Sequence, residues 1–222
     1  MSEASYGWRL EAPPSRVIDA GEFSGLGPWF AEVWALRGEI FYDEGRRPGF
    51  DLSGRWLDPD PLDLYSYHVL AHGPRGVVGC VRVLPLSSAP PGLTESLLGH
   101  QRFERMLQEI GASSRHTAEA GRWVVHPDLR AQGLGARLVA AAWALSRHLG
   151  CGTALAPAGT SDGQDRILAR IGLRPVPGLE PLRSELFTDE VRLMYAILDE
   201  PSRRFKGLID QMAAILGIGR GG

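Results

Sequence analysis

Arg130, Gly133 and Gly135 stand just ahead of a long apolar helical pattern, in the stretch RAQGLGARLV (residues 130–139). A helix start offers backbone N–H groups with no partner and a partial positive charge. Glycines leave the approach to those amides bare, and Arg130 adds a cation, so the arrangement suits a phosphate or pyrophosphate. A glycine-containing helix start with no ligand is the competing reading of these three residues taken alone. The preceding stretch, HTAEAGRWVVHP, reads as a strand ended by Pro127, and it brings a carboxylate (Glu119) and a guanidinium (Arg122) next to the turn. No Gly-Lys-Ser/Thr follows and no third glycine falls at the dinucleotide spacing, which excludes a Walker A loop and a Rossmann fingerprint.

The elements that must position these residues follow from periodicity. PWFAEVWALRGEIFYDEG reads as helix, with Phe30, Val33, Trp34, Arg37 and Phe41 at three- and four-residue steps. RRPGFDLSGRWLDPDPLD reads as a long irregular loop, a class that often carries function. YSYHVLAHGPRGVVGCVRVLPL is a hairpin around a Gly/Pro turn. TESLLGHQRFERMLQEIG is a helix with Thr94 as its N-cap. After the strand and glycine turn, Leu134, Leu138, Ala142, Leu145 and Leu149 line one face of a helix stopped by Gly150. CGTALAPA is a strand, and DGQDRILARIG a short helix capped by Ser161 and Asp162. LRPVPG and EVRLMYAIL are strands. PSRRFKGLIDQMAAILGI is a C-terminal helix with Pro201 in its first turn. RVIDA is a further short strand candidate. The order implies an α/β layout with a mixed sheet.

The 222 residues suit one domain with a terminal extension: a loose arm over 1–14, a domain over 15–199 and a C-terminal helix over 200–222. Net charge is −2, so no basic excess points to nucleic acid. No apolar run reaches the roughly 20 residues of a membrane span. The N-terminus lacks the apolar core of a signal peptide, and the cytoplasm is the expected compartment. Cys80 and Cys151 read as buried thiols on strands. The six histidines show no ligand spacing, and no metal is expected.

WVVHPDLRAQGLGARLV resembles the acyl-coenzyme-A signature of the GNAT family of N-acetyltransferases, Arg/Gln-x-x-Gly-x-Gly/Ala at a strand–turn–helix junction. The match falls on Arg130, Gly133 and Gly135, with Gln132 inside the turn. The resemblance implies a GNAT fold: a mixed, mostly antiparallel central sheet flanked by helices. It implies acyl-CoA or acetyl-CoA, or the phosphopantetheine of an acyl-carrier protein, as co-substrate. The pyrophosphate would lie on amides around Arg130, Gln132, Gly133, Leu134, Gly135 and Ala136. The pantetheine arm would lie in a V-shaped gap between the strand before the turn and the strand after the helix. A bulge near Val124, Val125 and His126 would aim an N–H at the thioester carbonyl. Amine attack on a thioester needs a neutral amine. Glu119 is the candidate base, and a salt bridge to Arg122 or Arg82 is its competing use. Where the family often places a tyrosine acid, RILARIG has Leu168.

The series LRGEIFYDEG, DPDPLDLYSYHVLA, VVGCVRVLPL and EAGRWVVHPDLR resembles the acyl-homoserine-lactone synthases and the long-chain N-acyl amino acid synthases, over about residues 30–178. The matching positions are Arg37 and Phe41, Asp60 and Asp63, Gly79 and Arg82, and Glu119 and Arg122. FYDEGRRPGF lacks the tryptophan that autoinducer synthases carry there, Trp56 comes later, and His68 is closer to the N-acyl amino acid synthases. Homoserine lactone is therefore not assumed as product. The resemblance implies substrate-binding roles for Arg37, Phe41, Asp60, Asp63, Arg82 and Arg122. Carboxylates can hold an acceptor's ammonium, and arginine can hold its carboxylate bidentately. An ion-pair network tying the first helix and loop to the sheet is the alternative use of the charged members.

The expected activity is acyl transfer from a pantetheine thioester to the primary amine of a small molecule, an amino acid or a derivative. The alternatives are an acetyltransferase of a polyamine, drug or protein amine, and an acyl-CoA-binding sensor without turnover. Possible partners are the amine acceptor and an acyl-carrier protein, for which Arg130, Arg137, Arg166 and Arg170 would form a basic dock. The chain would act as a monomer or homodimer.

Overall fold

The fold is a seven-stranded mixed sheet with helices on both faces, seen in a computed structural model that describes residues 6–14, 26–43, 45, 57–87, 89–183 and 187–219. The strands are β1 (Gly7–Glu11), β2 (Tyr67–Gly73), β3 (Gly76–Pro85), β4 (Thr117–Val125), β5 (Thr153–Gly159), β6 (Arg174–Pro175) and β7 (Val191–Ile197). Their order is β1-β2-β3-β4-β5-β7-β6, and every neighbouring pair is antiparallel except β4 and β5. The helices are α1 (Pro28–Asp43), α2 (Leu93–Leu98), α3 (His100–Glu109), α4 (Leu134–His148), α5 (Gln164–Ile171) and α6 (Arg203–Ile215).

Alternation along the strands sorts the core into two faces, because successive side chains leave a strand on opposite sides. Val69, Ala71, Val81, Val83 and Ala118 pack under α4 and α6 with Leu134, Leu138, Leu145, Phe205, Ile209 and Met212. Leu70, Cys80 and Val124 meet the aromatic side of α1, with Trp29, Phe30 and Trp34. Leu155, Val191 and Leu193 meet Phe103, Met106 and Leu107 of α3. α4 is apolar nearly all round, which suits a helix gripped between the sheet and α6.

Several expectations change. The stretch read as a loose arm holds β1, which pairs with β2 from Gly7↔His72 to Glu11↔His68. The helix expected over residues 94–111 is two, broken at Gly99 with φ +76, a conformation that costs glycine little. Thr94 lies inside α2, whose N-cap is Gly92. Cys151 precedes β5 and is half-buried, whereas Cys80 is a strand residue whose thiol burial pushes up to about 12. LRPVPG contributes only a two-residue strand. Pro201 precedes the N-cap of α6, Ser202. RVIDA and Trp56 lie outside the described residues.

One feature of the sheet matters most for function. β4 and β5 pair only from Thr117↔Thr153 to Glu119↔Leu155, although β4 runs on to Val125 and β5 to Gly159. Beyond Glu119 the two strands separate and open a V. The wall of that V on the α4 side rests on buried leucines. Leu138→Ala, at a fully buried position, is expected to cost about 2–5 kcal/mol of stability, read as a lower denaturation midpoint with an unchanged m-value.

Candidate active site

A cavity of about 140 Å³ passes through the sheet at the V. On the α1 side it touches Phe41, Arg82, Leu93, Glu119 and Arg122. On the α4 side it touches Val139, Ala142, Trp143, Ala154, Ala156 and Leu168. Each half follows from the local fold.

The charged half is built on Asp63. The sequence DPDPLD folds into a 3₁₀ turn, Pro61–Tyr65, started by Asp60, whose Oδ1 accepts the Leu62 N–H at 3.0 Å. The turn delivers Asp63, fully buried, into a fork of Arg37 donors: Nη1 donates to Oδ1 at 3.1 Å and Nη2 to Oδ2. Trp34 Nε1 donates to Oδ2 at 2.8 Å and Arg82 Nη1 to Oδ1 at 3.1 Å. Arg37 also donates to the Asp58 carbonyl at 2.6 Å and pairs with its carboxylate at 3.2 Å. Asp60 takes Arg82 at 2.7 Å and Arg122 Nη2 at 2.6 Å. Arg122 also lies 3.6 Å from the Asp58 carboxylate and over the Phe41 ring, 5.8 Å from its centroid.

All six residues to which the resemblance gave substrate roles therefore meet in one place. Arg37 and Asp63 hold each other and are fully buried, so they serve first as the tie between α1, the turn and the sheet. Arg82, Arg122 and Phe41 also border the cavity. Sequence reasoning missed Asp58 and Trp34. The repeated Asp-Pro of residues 58–61 was the available signal, since the residue before a proline is held extended and its side chain presented at a fixed angle.

Burial raises a carboxyl's pKa, but here it is outweighed. Arg37 and Arg82 draw Asp63 well below the usual carboxylate range, and Arg82 and Arg122 do the same for Asp60. His68 lies against the Trp29 and Phe30 rings with Nε2 3.4 Å from the Asp63 carbonyl. Burial lowers it to about 4, and the Asp63 charge, which acts the other way, does not compensate.

Glu119 sits at the vertex of the V. Its Oε1 accepts the Leu93 N–H at 2.8 Å and its Oε2 the Thr94 N–H at 2.7 Å. The carboxylate thus caps α2 from another strand, a place where a negative charge is favourable. Neither Arg122 nor Arg82, the partners expected for it, makes these bonds. The same contact is tight at Gly92, where a Cβ would stand 3.0 Å from the carboxylate and press it aside.

The bulge in β4 lies at Arg122–Trp123, opposite Val81, rather than at Val124–His126. Arg122 has φ +50, unusual for a non-glycine residue. Val124 and Val125 point into opposite cores, and the His126 N–H donates to the Val78 carbonyl at 2.9 Å.

Past β4, residues Pro127–Gln132 form a 3₁₀ turn, and Gly133, at φ +77, is the N-cap of α4 with no side chain supplying a cap. The first helical bond of α4 is Arg137 N–H to the Gly133 carbonyl, so helix geometry leaves the amides of Leu134, Gly135 and Ala136 without intrahelical acceptors. Arg130 Nε holds the Val125 carbonyl at 3.2 Å, and Gln132 accepts from Tyr6 Oη at 3.1 Å. Gly135 has a packing reason: a Cβ would meet the Trp123 ring at 3.0 Å. Ser161 and Asp162 do not cap α5. Its N-cap is Gly163, and Ser161 Oγ donates to Asp189 at 2.7 Å. Leu168 borders the cavity, so no hydroxyl stands at that place.

Residues 36–140 match the family model described as an acetyltransferase (GNAT) domain. No curated protein matches the chain in sequence. Among solved structures the chain is similar to BjaI, a CoA-dependent acyl-homoserine lactone synthase with SAM and isopentyl-CoA: 19% identity over 98% of this chain and 93% of that one, TM-score 0.63. It is similar to the acyl-homoserine lactone synthase LasI at 19% identity, 86% and 90% coverage and TM-score 0.58. An acyl-CoA N-acyltransferase from Pseudomonas aeruginosa gives 18%, 86% and 99%, and 0.53. At these identities the likeness is one of fold, and it falls on the branch that the motif series resembles.

The pKa shifts make the site acid-labile in two steps. His68 binds its proton at about pH 6.5 when unfolded and at about 4 when folded, so the unfolded state holds more protons in between, and stability falls as pH drops across that window. Asp60 and Asp63 act below about pH 4, where the unfolded carboxyls protonate first. Urea midpoints taken from pH 7 to pH 3 should fall in both windows, and His68→Gln should flatten the first alone. Asp63→Ala, which takes the shared carboxylate from two buried guanidinium groups and leaves Arg37 only Asp58 and Arg82 only Asp60, should cost about 3 kcal/mol at pH 7 in the same assay.

Proposed function

We propose that the chain is an N-acyltransferase of the GNAT type, moving an acyl group from a coenzyme A or carrier-protein thioester to the primary amine of an amino acid or amino acid derivative; the family model over residues 36–140 supports this reading. The observation that carries this reading is the cavity at the V: it joins an apolar half beneath α4 to a half bordered by Arg82, Glu119 and Arg122. An acyl chain suits the first half. A zwitterion suits the second, its carboxylate on the Arg122 guanidinium and its ammonium at Glu119. A polyamine or a drug amine would have no use for the arginines.

The donor's pyrophosphate would rest on the amides of Leu134, Gly135 and Ala136 beyond Gly133, beside Arg130. Its pantetheine arm would run along β4 past Trp123 into the V. There the amine nitrogen attacks the thioester carbonyl carbon. A C–N bond forms, the C–S bond breaks, and the sulfur leaves as thiolate. The ammonium's first proton passes to Glu119 before attack, and the second, released on amide formation, ends on the thiolate. Each Glu119 oxygen accepts one N–H from α2 and keeps one lone pair for this use. With Leu168 at the common tyrosine position, the chain offers no side-chain hydroxyl there to protonate sulfur, and solvent serves.

The direct test is release of free thiol from acyl-CoA thioesters, and from acyl-carrier-protein thioesters, in the presence of individual amino acids and their derivatives, with the product identified by mass. Turnover with amino acids and none with polyamines is the expected result. Turnover with polyamines alone would reassign the acceptor, and none with any amine would end the reading. In the same assay Glu119→Gln should lower kcat about 10²–10⁴-fold and leave KM for the acyl donor unchanged. A fall in stability with kcat intact would make Glu119 a cap for α2 and nothing more.

A further inference from the structure

The apolar half of the cavity is walled in part by a side chain held from outside the matched domain. Val139, Ala142, Trp143 and Ser146 present successive turns of α4 to it. Opposite them stand the small side chains of Ala154, Ala156 and Ala196, with Leu168 and Leu173 at the flank. The alanines leave the space, and the Trp143 indole bounds it. Trp143 is not free to swing: its Nε1 donates to the Leu198 carbonyl at 2.9 Å, a buried bond between α4 and the end of β7. Its ring meets Phe205 of α6 edge-on, centroids 6.3 Å apart at 68°. Phe205 is itself buried and does not border the cavity. The indole therefore has the cavity on one side and a hydrogen-bonded, aromatic backing on the other.

Resting on the proposed acyl transfer, we propose that Trp143, braced by Phe205 of the C-terminal helix, sets the upper length of the acyl chain and restricts the donor to short-chain acyl thioesters. An apolar protein cavity of about 150 Å³ holds a ligand the size of benzene, on the order of six carbon atoms. At about 140 Å³, shared with the reacting ends of both substrates, this cavity is on that scale. A longer chain would have to displace the indole, breaking its bond to Leu198 and its contact with Phe205. Trp143 is a specificity-determining residue on the cavity wall. Phe205 is a positioning residue, acting through it.

The test is kcat/KM for a series of straight-chain acyl-CoA thioesters from acetyl to dodecanoyl, measured by thiol release with the best amino acid acceptor. The wild-type protein is expected to peak at or below hexanoyl and to fall steeply beyond. Trp143→Ala should move the peak to octanoyl or longer, each newly buried methylene raising kcat/KM about fourfold. Phe205→Ala, which removes nothing from the cavity wall, should move it the same way by a smaller step, a change that general loosening of α6 would not make selective for chain length. Ala156→Val, which narrows the cavity without opening the core, should move the peak to shorter chains and covers the case in which the truncations fail to fold. Equal use of dodecanoyl and butyryl by the wild-type protein, or an unmoved peak in the folded variants, would overturn this inference and leave acyl transfer standing. No thiol release from any thioester with any amine would take both down.

Discussion

Asp63 is the group on which the site depends. A carboxylate with no exposed surface survives only if its charge is answered on the spot, and the answer comes from three side chains on two elements: Arg37 and Trp34 of α1, and Arg82 of β3. Such a cluster adds little net stability, because desolvating the ions consumes most of the Coulombic gain. Its value is geometric. An apolar plug would tolerate α1 at several rotations, whereas the Arg37 fork on Asp63 accepts one. That one rotation places Phe41 beneath Arg122 and presents both to the cavity.

The cluster also explains the outer pair. Asp60 is held by Arg82 behind and Arg122 in front, so Arg122 is anchored at one edge. The left-handed backbone at Arg122 and the bulge it creates are then consistent with one cause: the strand must bend to reach Asp60 while Trp123 turns the other way, beneath Gly135. The bulge and the separation of β4 from β5 occur within three residues of each other, and together they open the sheet. The glycine turn is thereby coupled to the charged cluster through two consecutive side chains of β4, one for each side of the cavity.

Much of this was legible in the sequence. The turn at Arg130–Gly135 was, because helix starts and glycine spacing are local. So was the membership of Arg37, Asp60, Asp63, Arg82, Glu119 and Arg122 in one region, because the order of motifs along the chain carries it. What stayed hidden was pairing. Nothing within a window of ten residues tells Glu119 that its partners are the amides of Leu93 and Thr94, and the expected salt bridges to Arg122 or Arg82 were equally well spaced. Thr94 looked like a cap because its type fits, but tertiary packing put a distant carboxylate on that helix, close against Gly92. GWRLE has the alternation of a strand, but it follows a polar start and is short, and only the free edge of β2 makes it one. Gly135 was read as room for a ligand, and the Trp123 ring gives it a second reason that no local pattern contains.

Glu119 shows how packing and chemistry can share one side chain. As a cap it joins α2 to the strand at the point where the sheet splits, and Leu93, whose amide it holds, borders the cavity. As a base it would need an oxygen turned toward the acceptor. The two roles are compatible because the amides of α2 occupy one lone pair on each oxygen and fix the plane of the carboxylate. A free carboxylate in that position would lose rotational entropy on meeting an ammonium, and this one has already lost it on folding. Held in that way, it presents the amine with one geometry, at the place where the opened strands leave the thioester room to meet it.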